Sequence, residues 1–171
     1  MAALGPQPEQ NREGRGVSPN GLTVSSPGWG EDMFSKIMVP VDLAHADKLG
    51  RALDVAAQLA RNSGGEVVYV GVTTGTPTSV AHSPEEYRQK LEAFAAAQSE
   101  AAGHPATAHM VLSHDPAVDL DRQLEKAAEQ TGADLVVMAT HVPGAFDAFG
   151  PNHGGALARH SKISVFLVRE S

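Results

Sequence analysis

Cysteine is absent from the 171-residue chain, which excludes disulfides, thiolate metal sites and cysteine nucleophiles. No apolar run approaches the roughly 20 residues that a membrane-spanning helix needs. The first residues lack the basic start and apolar centre of a secretory signal, so a cytoplasmic protein, not itself membrane-inserted, is expected. Aromatics make up only 5% of the chain, too few for platforms that stack single-stranded nucleic acid. Lys and Arg number 13 against 20 Asp and Glu, a formal net charge of -7. A phosphate-backbone binder needs a basic face, so no nucleic-acid partner is expected. What is present is an acidic, alanine-rich chain long enough for one domain with a sizeable core.

Signature motifs of catalysis are missing too. There is no Gly-x-Gly-x-x-Gly after the first strand and no Gly-x-x-x-x-Gly-Lys-Ser/Thr, which removes the dinucleotide fingerprint and the P-loop. No Gly-x-Ser-x-Gly elbow marks a hydrolase serine. Lysine is scarce where phosphate chemistry would need it, so an efficient phosphoryl transferase is not expected. The protein reads as a non-enzyme, at most a slow ATPase.

Residues 1–32 contain four prolines and six glycines, few aliphatics and no periodicity. They are expected to be a disordered extension, with the folded domain at 33–171. From Met33 the pattern alternates. Lys36–Val41 predicts a first strand, with Pro40 near its end where a missing amide is tolerable. Asp47–Arg61 predicts a helix whose Leu49, Leu53, Ala56 and Leu59/Ala60 share one face and which stops at Gly64-Gly65. Glu66–Thr73 predicts a second strand. Ser83-Pro84-Glu85-Glu86 joins an N-cap serine, a proline at the first helical position and a glutamate three residues on. Its helix is expected to run to Ala102. Thr107–Ser113 is the third strand, Asp115-Pro116 caps a third helix ending at Gly132, and Asp134–Thr140 is the fourth strand. A glycine- and proline-bearing loop, a short helix at Asn152–Ser161 and a strand at Ile163–Val168 complete the chain. Five strands alternating with four helices predict an α/β fold, a doubly wound parallel sheet with helices on both faces.

In such a sheet the carboxyl ends of the strands share one edge, where ligands bind. That edge holds Asp42, Val72, His114, Thr140 and His141, with Asn152 and His153 at the start of the last helix. Asp42 suits a ribose or purine, or a phosphate-bound cation, and suits equally the role of turn and cap residue. Amides opening the last helix suit an anion. His114, His141 and His153 with Asp42 have the chemistry for zinc, but none lies at a recognised ligand spacing. Loop and capping histidines are the better reading, and no metal site is assigned. Arg159 and His160 complement the dipole at their helix end.

Three segments are similar to one family. Ile37-Met-Val-Pro-Val-Asp42 resembles the opening strand of the universal stress proteins. Asp134-Leu-Val-Val-Met-Ala-Thr-His141 resembles their fourth strand, and Ala158–Val168 their last helix and strand. The resemblance covers Met33–Ser171 and implies a Rossmann-like sheet of order 3-2-1-4-5, often paired as a homodimer through the last strand (here Ile163–Val168). It implies a regulatory protein of the stress response that binds ATP or AMP, with Mg2+ as an optional companion of the phosphates. By this resemblance Pro40, Val41 and Asp42 border base and ribose, and Val72 offers backbone contacts to adenine. Met138, Ala139, His141 and Val142 line the ribose and phosphate side, with Asn152 and His153 nearest the phosphates.

Nucleotide-binding members carry Gly-x-x-Gly-x9-Gly-Ser/Thr. Here the glycine positions fall on Ala139 and Val142 and the closing pair on Pro151-Asn152, in a loop one residue shorter; Gly154-Gly155 is an alternative. Pro151 has no amide for a phosphate, and Val142 adds bulk where glycine allows close approach. The shortened loop resembles a single-domain branch that includes nucleotide binders, some of which act beside membrane transporters. The alternative function is therefore an interaction or transporter-regulating module that binds no nucleotide.

Overall fold

The computed structural model describes residues 33–140 and 153–169. The expected extension at 1–32 lies outside them, as do residues 141–152, 170 and 171. Five strands form one sheet: β1 (Lys36–Pro40), β2 (Glu66–Thr73), β3 (Ala106–Leu112), β4 (Leu135–Thr140) and β5 (Ser164–Arg169). All pairings are parallel and the order is β3-β2-β1-β4-β5. The helices are α1 (Gly50–Ser63), α2 (Pro84–Ala102), α3 (Pro116–Thr131) and α4 (His153–His160). The doubly wound α/β fold is as the alternation of patterns and the resemblance predict.

Side chains alternate across each strand, and both faces of the sheet are covered. Ile37, Val39, Tyr69 and Val137 meet Leu53, Ala56 and Leu91 on the side of α1 and α2. Met38, Val70 and Val136 meet Leu120, Leu124 and Leu157 on the side of α3 and α4. Two-sided burial explains the continuous apolar runs of β1, β2 and β4. Leu91 and Leu124 are fully buried, each contributing about 2 kcal/mol through the apolar surface withdrawn from water.

The element ends follow local chemistry. Ser83 Oγ accepts from the Glu86 amide at 3.2 Å, while the Glu86 carboxylate accepts from the His82 amide at 2.8 Å. The reciprocal cap thus closes one residue upstream of the serine. Gly64 ends α1 at φ 67°, a left-handed turn that favours glycine. Its neighbour Gly65 answers a different need, because a Cβ there would lie 2.5 Å from the Phe34 carbonyl oxygen.

Two expectations need correction. The first helix begins at Gly50 rather than Asp47, after a separate 3-10 segment, Leu43–Lys48, kinked at His45. The Asp42 carboxylate accepts from the Ala44 amide at 2.9 Å, so the chain starts to coil directly behind β1. Asp115 occupies the cap position of α3, but its side chain makes no capping bond.

Candidate functional site

The site is set by where β1 and β4 part. Their paired residues are Ile37 with Leu135 and Met38 with Val136, whereas β1 stays paired with β2 from Lys36 to Pro40. The Val41 amide donates to Val70 O at 2.8 Å, toward β2. In a parallel sheet successive residues bond to opposite neighbours, so position 40 faces β4. Proline there has no N–H to give, and the ladder cannot continue. The two strands therefore part toward the carboxyl end, at the point where strand order reverses and sheets of this kind have their crevice.

Asp42 stands at the mouth of this crevice. One carboxylate oxygen accepts from the Ala44 amide, and His45 Nδ1 donates to the other at 2.7 Å. Both partners are local, and lone pairs remain for an outside donor. The partnership with His45 was not foreseen, although its spacing of three residues beyond a cap residue offered a signal. Behind Asp42, on the α2 side, the buried Tyr87 hydroxyl is pushed up to about 12, first by burial and then by the negative charge of Asp42.

The structure divides the expected site residues between the two faces of the sheet. Val72 and Met138 lie on the α3 and α4 side. Val41 and Ala139 contribute their side chains to the opposite core. Pro40 is buried and acts through its missing amide. Val72, expected at the carboxyl edge, is the next-to-last residue of β2 and pairs with Val111 of β3. His153 is the first residue of α4. His141, Val142 and Asn152 lie outside the described residues. His114 is exposed, and among the described residues no three His, Asp or Glu side chains are grouped to hold a metal.

Two features escaped the sequence. A cavity of about 570 Å3 lies between the 3-10 segment and α2, lined by Leu43, Ala46, Val80 and Phe94 among others. Lys90 at its rim donates to Val80 O and to Glu86. The second is Ser113, which directly follows β3. Its side chain is 1% exposed, and its hydroxyl has no hydrogen-bond partner among the described residues.

A five-stranded parallel sheet in this order, with β1 and β4 parting at the carboxyl end, defines the doubly wound class of α/β proteins. The sequence model of the universal stress protein family matches residues 33–169. This chain belongs to the universal stress protein family. Among solved structures, it is similar to a family member from Burkholderia pseudomallei at 24% identity and a TM-score of 0.57, covering 80% of this chain and 96% of that one. A universal stress protein in complex with cAMP is 21% identical with a TM-score of 0.57, covering 81% and 98%. The universal stress protein from Archaeoglobus fulgidus in complex with dAMP is 19% identical with a TM-score of 0.55, covering 78% and 96%. At these identities the likeness is one of fold. No curated protein matches the chain.

Proposed function

We propose that this protein is a regulatory binding protein, not a catalyst, that holds an adenine nucleotide, ATP or AMP, at the carboxyl edge of its sheet. The observation that carries this reading is the parting of β1 from β4 beyond Met38 and Val136, where Pro40 offers no amide and Asp42 directly follows β1. Asp42 has the chemistry to accept from ribose hydroxyls. The cAMP and dAMP complexes of structural neighbours support the ligand class. Mg2+ would accompany the phosphates of ATP. His141 and Val142, expected with Met138 and Ala139 on the ribose and phosphate side, and Asn152 and His153, expected nearest the phosphates, complete this reading.

Calorimetric titration of AMP and of ATP with Mg2+ into the full chain tests it. Saturable micromolar binding, weakened about tenfold or more by Asp42→Ala, is the expected result. No binding to folded protein at millimolar nucleotide would refute it and favour the second reading, a protein-interaction module.

Regulation would run through a stress-response partner in the cytoplasm, such as a membrane transporter, and through a homodimer. β5 is an edge strand with Phe166 and Leu167 47% and 44% exposed, and an open apolar edge of this kind invites pairing. Val165 packs against the α3 and α4 core, so a charge there would disturb the fold as well as any pairing. Leu167→Glu is the cleaner test. It should yield monomers by light scattering, and an unchanged dimer would refute pairing through β5.

A further inference from the structure

The unpartnered hydroxyl of Ser113 stands out because buried polar groups in folded proteins almost always find a partner. Ser113 follows β3 directly, and its amide donates to Thr73 O at 2.8 Å, extending the ladder with β2 by one residue. Val111, two residues earlier, packs with Val72 on the α3 and α4 side of the sheet. By strand alternation Ser113 continues that face, beside and just beyond Val72. Asp42, Val72 and Ser113 thus form a row along the carboxyl edge, from the end of β1 across β2 to the end of β3. Two strand spacings separate the ends of the row, about 10 Å. That is the length scale of a nucleoside from its ribose hydroxyls to the far edge of its base.

The end of the row is suited to a neutral ligand group. Asp115 holds the cap position of α3, so a carboxylate already stands where an anion would approach that helix end, while Asp119 in the first turn is paired with Arg122 at 2.7 Å. A base edge carries no charge, and a serine hydroxyl both donates and accepts. It therefore suits an aminopurine, whose exocyclic amine donates while the adjacent ring nitrogen accepts.

We infer that Ser113 reads the base of the bound nucleotide, pairing its hydroxyl with the amine-bearing edge of the purine. This rests on the nucleotide-binding reading above and assigns the far end of that same site. An orphaned hydroxyl in the free protein then has a use: it is satisfied when the base arrives, and a base lacking the amine leaves it unsatisfied.

The test is a chemical cycle on the full chain. AMP and purine riboside 5′-monophosphate, which lacks the 6-amino group, are titrated into the wild type and into Ser113→Ala, and both proteins are melted without ligand. The wild type should prefer AMP by about tenfold, and Ser113→Ala should bind the two nucleotides alike. The melting temperature of free Ser113→Ala should equal or exceed that of the wild type, since an unsatisfied group has been removed. If the wild type binds AMP and the variant keeps the same preference, the inference is overturned while the nucleotide reading stands. A variant that melts several degrees lower would also overturn it, because the hydroxyl would then have a partner in the free protein. Folded wild type that binds neither nucleotide overturns both readings together.

Discussion

The two ends of the sheet differ in how far their hydrogen bonds reach along the chain. At the amino end, the Asp134 carboxylate accepts from the Ser35 amide and hydroxyl, both at 2.8 Å, and from the Lys36 amide at 3.2 Å. The His104 ring lies 3.3 Å from the Tyr69 hydroxyl, and Arg61 donates to the Ala102 carbonyl. These bonds join segments far apart in sequence. At the carboxyl end, Asp42 bonds only to residues two and three positions on, Pro40 withholds an amide and Ser113 finds no partner among the described residues. The amino end ties distant segments together, although the buried His104 Nδ1 finds no partner among the described residues, whereas the bonds of Asp42 at the carboxyl end stay local.

Substitutions should separate the two ends by what they change. The largest effect is expected from Gly65→Val. Its side chain would drive into the Phe34 and Ser35 carbonyls, lowering stability by about 3 kcal/mol in a urea melt. A cost below about 1 kcal/mol would show that the amino end yields easily. Asp134→Ala removes three hydrogen bonds at a partly exposed site and should cost about 2 kcal/mol, with AMP affinity unchanged. Loss of affinity in step with stability would erase the division between the ends.

His104 gives the amino end a pH signature. Burial first, and then the nearby Arg61 charge, lower its pKa below the ordinary 6.5. As pH falls through 6.5 the unfolded chain takes a proton that the folded chain still refuses, so stability declines until the lowered folded value is passed. Above 6.5 the imidazole is neutral in both states and no penalty applies. Urea melts between pH 8 and 5 should show stability falling with pH, a decline absent in His104→Gln. An equal decline in that variant would assign the effect elsewhere. The smallest change in stability is expected at the carboxyl end, from Pro40→Val. A restored amide toward β4 is offset by the freer unfolded chain, leaving stability within about 0.5 kcal/mol. AMP affinity should fall as the crevice closes, and unchanged affinity would mean that the proline does not set its width.

Most of the fold was legible because each strand is buried on both faces and each helix carries its own punctuation. Glu66–Thr73 and the helix from Pro84 to Ala102 agree with their expected bounds to the residue. The 3-10 segment was not legible, because one hydrogen bond from Asp42 to a near amide redirects the chain and leaves no periodic trace. The site was less legible than the fold for a related reason. Asp42 could be read from its place at a strand end, but Ser113 matters through its burial and its lack of a partner, which depend on what surrounds it. Strand alternation also separates Val41 and Ala139 from Val72 and Met138, a division that a run of apolar residues conceals.

The Asp134 clamp also bears on the time course of folding. The β3-β2-β1 half can form by successive short crossovers, but β4 must find β1 across about 100 residues of chain. Closing so long a loop is costly before any contact rewards it. Asp134 supplies three bonds to Ser35 and Lys36 at the point where that closure begins. The seam that parts at its carboxyl end is therefore fastened at the other by contacts that form only once the two halves have become one protein.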